Sequence, residues 1–170
     1  MQQLLMMDEK DYNETLEEIT RVAVRGIIFD GGKLLVIEDK TGGVKLPGGG
    51  QESGEDDLTT LIREVKEETG YTVIPETIRP FGTIEEKRKA RHEDKIWHQI
   101  SRLYFCKTAS GQTEQNFTEN EKKHGMKLIS CTIDEAIEKN RNLLGTSGAQ
   151  SWNTREYKAL LLIKEKLAKK

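Results

Sequence analysis

Residues Leu46–Tyr71 read LPGGGQESGEDDLTTLIREVKEETGY. Three consecutive glycines lead into a run of acids and then into a segment of helical periodicity. From Glu55 to Thr69, the residues Leu58, Leu61, Ile62 and Val65 recur at i, i+3, i+4 and i+7, which predicts an amphipathic helix with its apolar stripe on a core. Gly70 follows the last periodic residue, where a left-handed C-cap belongs. At about 100° per residue, Glu64, Glu67 and Glu68 fall on one acidic stripe beside the apolar one. Like charges at this spacing cost roughly 0.2–0.5 kcal/mol per pair on an exposed helix, and more when half-buried. The stripe is either a solvated Glu-rich face or a set of carboxylates that share a divalent cation. Mg²⁺ prefers such oxygen ligands and keeps waters for a phosphate-bearing substrate. Gly48, Gly49 and Gly50 favour the second reading, because glycine lets the backbone take positive φ and come close to a ligand.

Upstream, RVAVRGIIF (Arg21–Phe29) places Val22, Val24, Gly26 and Ile28 on one face and predicts a strand. Asp30-Gly31-Gly32 is a hairpin turn, with KLLVIED as the partner strand. Thr41-Gly42-Gly43 marks a second turn, and VKL enters the glycine run. Downstream, YTVIPETIRPFGTIEEKR is predicted to be extended, with interruptions at Pro75 and Pro80. IWHQISRLYFCKT (Ile96–Thr108) is a further strand, and KRKARHEDK between the two is expected as a polar hairpin tip. Residues 109–125 are expected as a polar loop and MKLISC as a short strand. Thr132–Glu135 fits a capping box that opens a helix reaching about Lys139. Residues 140–148 form a linker, and a last helix from Asn153 to Lys169 carries Tyr157, Leu160, Leu161 and Lys164 on one side. Residues 1–20 are a lead-in strand or a frayed extension. This order is not the βα alternation of a doubly wound fold; it predicts a mixed sheet with a helix on each side.

The chain has 170 residues, 35% hydrophobic and 33% charged, with a net charge of −2. These values suit one domain and supply no global field for nucleic acid, so no DNA partner is expected. An anionic substrate would need local cations. Cys106 and Cys131 lie in apolar stretches without metal-ligand spacing and are expected as buried reduced thiols. No apolar run approaches the ~18 residues of a membrane span. MQQLLMMDEKD turns acidic too soon for a signal peptide, so a cytoplasmic location is expected.

Gly49 is followed by Glu55, then by Arg63-Glu64-Val65, Glu67-Glu68 and Gly70. This arrangement resembles the signature of the Nudix hydrolases, the MutT-like family. Residues 49–70 supply every fixed polar and glycine position; Tyr71 stands where an aliphatic residue is usual, a departure that touches packing and not chemistry. A looser resemblance runs over residues 20–140. It implies an α/β/α sandwich around a mixed sheet, with the box as loop–helix–loop. The implied division is a lead-in at 1–20, a hydrolase domain at 21–145 and a C-terminal helix at 146–170 packed on that domain. The implied reaction is hydrolysis of a phosphoanhydride bond in a nucleoside diphosphate linked to a further group X, with Mg²⁺ or Mn²⁺. By position, Glu64, Glu67 and Glu68 are metal ligands and the Gly48 carbonyl is a further one. Glu55 and Arg63 tie loop to helix and orient the carboxylates. The proton acceptor is a box glutamate or an acid of the later FTENEKKHG loop, Glu119 or Glu121, with Glu121 preferred. The expected substrate is a nucleoside triphosphate of house-cleaning type. ADP-ribose or another sugar nucleotide, the 5′ end of an RNA, a non-catalytic nucleotide-sensing role and a homodimer stay open.

Other residues invite weaker readings. The run Lys87–His92 is a solvated tip or a phosphate-binding patch. Glu85 and Glu86 are expected at a strand edge, merely exposed or, as the resemblance allows, an extra substrate or metal carboxylate, and Trp97, Tyr104 and Phe105 are expected in the core or stacked on a base. Trp152 and Tyr157 are expected to anchor the last helix, and His98 and His124 lack partners at metal-ligand spacing.

Overall fold

The computed structural model describes residues 1–169. The strands are β1 (Gln3–Asp8), β2 (Glu18–Ile27), β3 (Phe29–Asp30), β4 (Lys33–Glu38), β5 (Val44–Lys45), β6 (Gly48–Gly50), β7 (Tyr71–Val73), β8 (Arg79–Lys89), β9 (Ile96–Phe105), β10 (Thr108–Gln112) and β11 (Lys127–Cys131). The helices are α1 (Asp57–Thr69), α2 (Glu119–Lys123), α3 (Ile133–Leu143) and α4 (Asn153–Ala168). The larger sheet runs β1-β8-β9-β2-β6 and a second one runs β11-β4-β3, with β5 on β4. β1 on β8 and β2 on β9 are parallel pairs, whereas β8 on β9 and β2 on β6 are antiparallel. The expected α/β fold with a mixed sheet is thus what the chain forms.

Alternation along β2 and the residue just past it sends Val24 and Ile28 into a core with Leu61 and Val65 of α1. Gly26 belongs to that face because α1 packs on it closely: a Cβ there would lie 3.2 Å from Val65. The opposite face carries Ile27, Leu34, Ile84 and Leu103, and it is covered by Ala136 of α3 and by Leu160 and Ile163 of α4. Cys106 and Cys131 are buried free thiols.

Several boundaries differ from the expectation. α1 starts at Asp57, and Asp56 is its N-cap, accepting the Thr59 N–H at 2.7 Å. Leu58 therefore sits in the first turn, before the packed stripe begins, and is 46% exposed. Gly70 takes φ 73 and closes the helix in the left-handed region. Pro75 opens a 3-10 turn, but Pro80 does not interrupt β8. It lies near the strand's start, where a missing N–H is tolerated, and the register shifts before Gly82. The stretch 109–125 is not all loop: β10 pairs with β7, and α2 is opened by a capping box of Thr118 and Glu121. α3 runs on to Leu143, past the expected Lys139. On α4 the buried residues are Asn153, Arg155, Glu156, Ala159, Leu160 and Ile163, while Leu161 is exposed. Three buried polar residues, Asn153, Arg155 and Glu156, disguised that face in the sequence.

Candidate active site

The glycine strand β6 lies between β2 and α1, and the site is built where they meet. Arg63 on α1 reaches back over the loop. Its Nε and Nη2 donate to the two oxygens of Glu55 at 2.7 and 2.8 Å, its Nη1 to Glu64 at 2.7 Å, and Nη2 also to the Gly50 carbonyl at 3.2 Å. A bidentate guanidinium–carboxylate pair fixes direction as well as distance. The Glu55 carboxyl is held down at about 2, chiefly by Arg63 and then by the Glu52 N–H. Glu64 lies directly against Gly49, and a Cβ there would overlap its carboxylate. Gly48, at φ 136, is equally constrained, because a Cβ would overlap the Val24 carbonyl of β2.

Glu68 is the most enclosed of the three acids, with 2% exposure. One oxygen accepts the Gly48 N–H at 2.7 Å and the other the Lys45 ammonium at 2.7 Å. Burial raises its carboxyl above the ordinary range, against the opposing charges of Lys45 and Arg25. Glu67 points further out and reaches Arg63 only at 3.5 Å. The Gly48 carbonyl accepts from the buried Arg25 guanidinium.

The donors suit a hard divalent cation in kind: three carboxylates on one helix and a backbone carbonyl with a second lone pair. In the present arrangement, Lys45 and Arg63 neutralise the acids. Among the described residues, no group of three or more His, Cys, Asp or Glu is drawn together as a metal cage. The structure thus gathers Glu55, Arg63, Glu64, Glu68 and Gly48 and leaves Glu67 at the margin.

Beside these acids opens a cleft of about 280 Å³ between the β2-β9-β8 face and α4. Arg21 and Arg25 of β2, Lys45 of β5, Arg88 of β8 and Arg155 of α4 line it, against the two carboxylates Glu86 and Glu121. Trp97 and Trp152 form apolar parts of its wall. Glu121 stands 3.9 Å from Lys45. Burial opposes its ionisation, but the Thr118 hydrogen bonds and the Lys45 charge outweigh this, so its carboxyl lies below the ordinary range. Glu119 faces away and pairs with Lys122 at 2.8 Å.

The NUDIX domain profile matches residues 19–146, three quarters of the chain, and spans the glycine strand, α1 and the cleft's sheet face. The chain belongs to the Nudix family of hydrolases. A curated relative, the putative ADP-ribose pyrophosphatase YjhB of Bacillus subtilis (strain 168), is 28% identical over 98 residues. That stretch is 57% of this chain and 46% of the relative, so the match spans about half of the relative's length. The NUDIX hydrolase from Nitrosomonas europaea has a similar structure, with TM-score 0.56 and 20% identity over 83% of this chain and 90% of that one. The MutT NUDIX hydrolase from Burkholderia pseudomallei gives TM-score 0.54 and 21% identity over 68% and 85%.

Outside the Nudix box, the sequence reading missed most of the cleft. Glu86 is not at an exposed edge: β8 lies between β1 and β9, and Glu86 is buried, paired with Arg88 at 2.9 Å and Arg155 at 3.1 Å. Glu85, on the other face, meets His98 at 2.8 Å, and Glu18 holds the other ring nitrogen at 2.7 Å. Arg88 belongs to the strand and stacks over Trp97, 5.9 Å from the ring centre. Trp97 and Trp152 line the cleft and are not simply core or anchor. The usable signal was strand alternation. It puts Arg21 and Arg25 on one face of β2 with Ala23 and Ile27, an odd place for two cations unless a ligand meets them.

Proposed function

We propose that this Nudix hydrolase cleaves a phosphoanhydride bond in a nucleoside diphosphate linked to a further group, with a nucleoside triphosphate as its best substrate. The observation that carries this reading is the juxtaposition of the glycine-backed acids of α1 with a cleft lined by Arg21 and Arg25, which feel the charges of Glu64 and Glu68 but make no direct ion pair among the described residues: Arg21 donates to Gln99 and Arg25 to main-chain carbonyls. A triphosphate brings the negative charge these guanidiniums call for. ADP-ribose is the second reading, favoured by the name of the Bacillus subtilis relative. Its terminal pentose carries no charge to offer the arginines.

Glu64, Glu67 and Glu68 would hold the Mg²⁺ or Mn²⁺, with the Gly48 carbonyl beside them. When bound, such a cation neutralises phosphate charge and acidifies a water. The chain's own residues do the rest. Arg63, locked by Glu55, keeps Glu64 aimed at the glycine loop. Lys45 reaches from the cleft wall to Glu68 and can follow a phosphate oxygen. Glu121, ionised on the same wall, takes the proton of the attacking water. The arginines offset the charge of the departing phosphate.

The test is release of orthophosphate or pyrophosphate from a panel of nucleoside triphosphates, ADP-ribose and UDP-sugars, with and without Mg²⁺. Metal-dependent turnover, highest on a triphosphate and reduced about a hundredfold in Glu68→Gln, is expected. Tight nucleotide binding without turnover of any member of the panel would instead indicate a nucleotide sensor.

A further inference from the structure

Three polar side chains that line the cleft are at least nine-tenths buried and hold an N–H with no partner: Arg25 at Nε, Gln99 at Nε2 and Arg155 at Nε. All three are donors. The orientation of the Gln99 amide is fixed by chemistry, because its oxygen accepts from Arg21 Nη1 at 3.0 Å and a guanidinium has nothing to offer an amide N–H. Gln99 therefore carries its NH₂ as the unmet donor, buried in the cleft wall. Other nitrogens of the two guanidiniums have partners. Arg25 donates through Nη1 to the Leu46 and Gly48 carbonyls, and Arg155 meets Glu86 at 3.1 Å and Glu156 at 3.6 Å. Buried donors are seldom left unmet in folded proteins, and here three of them belong to residues that wall one cleft. Arg21 joins them as a neighbouring charge: burial, then Arg25 and Arg155, hold its guanidinium below the ordinary range.

We infer that Arg155, with Arg25 and Gln99, forms a seat for a tetrahedral oxyanion of the group X, so that α4 selects substrates whose X is a phosphate over those whose X is a neutral sugar. This rests on the hydrolase reading above and names the part of the substrate that the reading leaves open. Arg25 places the seat next to the reacting bond, since the same guanidinium holds the Gly48 carbonyl of the glycine strand. Arg155 makes it a property of this chain, since α4 lies beyond the residues 19–146 that match the family. The seat is a specificity device and takes no part in proton transfer.

Two full-length variants test it. Arg155→Met removes the α4 donor. Gln99→Glu is isosteric, keeps the contact to Arg21 and turns the free donor into an acceptor, and it serves as the folded variant should loss of Arg155 destabilise the chain by leaving Glu86 with Arg88 alone. The readouts are calorimetric binding of inorganic triphosphate and the ratio of kcat/KM on a nucleoside triphosphate to that on ADP-ribose. Each variant is expected to weaken triphosphate binding about ten- to a hundredfold and to lower that ratio by a similar factor through KM. A ratio unchanged in both folded variants, or triphosphate bound as tightly by Gln99→Glu as by the parent, overturns the inference. If no nucleotide is turned over but triphosphate binding still depends on Gln99 and Arg155, the hydrolase reading falls and the oxyanion seat stands.

Discussion

Lys45 Nζ lies 2.7 Å from Glu68 Oε1, with both side chains almost wholly enclosed. The ammonium thus sits on the carboxylate proposed above to hold a divalent cation, so the two cations would compete for one anion. Breaking a buried pair from one side leaves an uncompensated charge, at a cost of about 3–5 kcal/mol. Lys45→Met is therefore expected to lower the urea midpoint markedly in a metal-free buffer. Mg²⁺ should restore more stability to this variant than to the parent, because the metal then meets an acid with no internal counter-ion. Equal stabilisation of both proteins by Mg²⁺ would show that Lys45 and the metal do not share Glu68.

The Glu55–Arg63 pair makes a pH-dependent contribution whose direction is fixed. Arg63 and the Glu52 N–H pull the Glu55 carboxyl from 4.5 to about 2 in the folded chain. The stabilisation is complete above about pH 4.5, where the carboxylate is ionised in both folded and unfolded chains. It is lost as pH falls through about 2, where the folded chain takes up the proton as well. Urea melts of the parent and Glu55→Gln should therefore differ at pH 6 and converge as the pH falls through this window. A gap that is constant with pH would show that the ionised carboxylate adds nothing.

Gly49 and Gly48 separate chemistry from folding. The φ of Gly49 is one that other residues adopt, but a Cβ there would overlap the Glu64 carboxylate and push it from its place. Gly48 holds φ 136 and would overlap the main chain of β2. Gly49→Ala is expected to keep its melting temperature within a few degrees and to lose activity about a hundredfold. Gly48→Ala should lose stability by about 1–3 kcal/mol as well. Circular dichroism melts and kcat for the two variants check this, and equal loss of stability in both would contradict it.

These residues also show where the sequence was informative. The box could be read because its constraint is local: the cap at Gly70, the apolar spacing of Leu61, Ile62 and Val65, and the i, i+3, i+4 acids all belong to one helix. The cleft was opaque because its members come from β2, β5, β8, β9 and α4, and no spacing rule joins Arg21 to Arg155. Glu86 was misjudged for the same reason, since nothing in the sequence put β1 outside β8. Even α4 misled, because Asn153 and Glu156 occupy inward positions that a hydrophobic count treats as outward.

Those two polar residues belong to a clamp that sets the position of Lys45. The side-chain oxygen of the fully buried Asn140 on α3 accepts the Val44 N–H at 2.8 Å, and its amide donates back to the Val44 carbonyl at 2.7 Å. Asn153 donates to Asn140 at 3.3 Å. Just past the end of β5, Glu156 accepts the Leu46 N–H at 3.0 Å. Lys45 lies between the two gripped residues, so α3 and α4 fix the strand that carries it into the cleft. Asn140→Ala would strand both Val44 main-chain groups in the core. Each unmet buried group costs about 1–3 kcal/mol, and a total loss of about 2–4 kcal/mol is expected in urea melts. The activity that survives should show a raised KM for the nucleotide, because Lys45 loses its fixed approach to the phosphates. Unchanged stability would mean that water meets Val44 and that the clamp does not hold the strand.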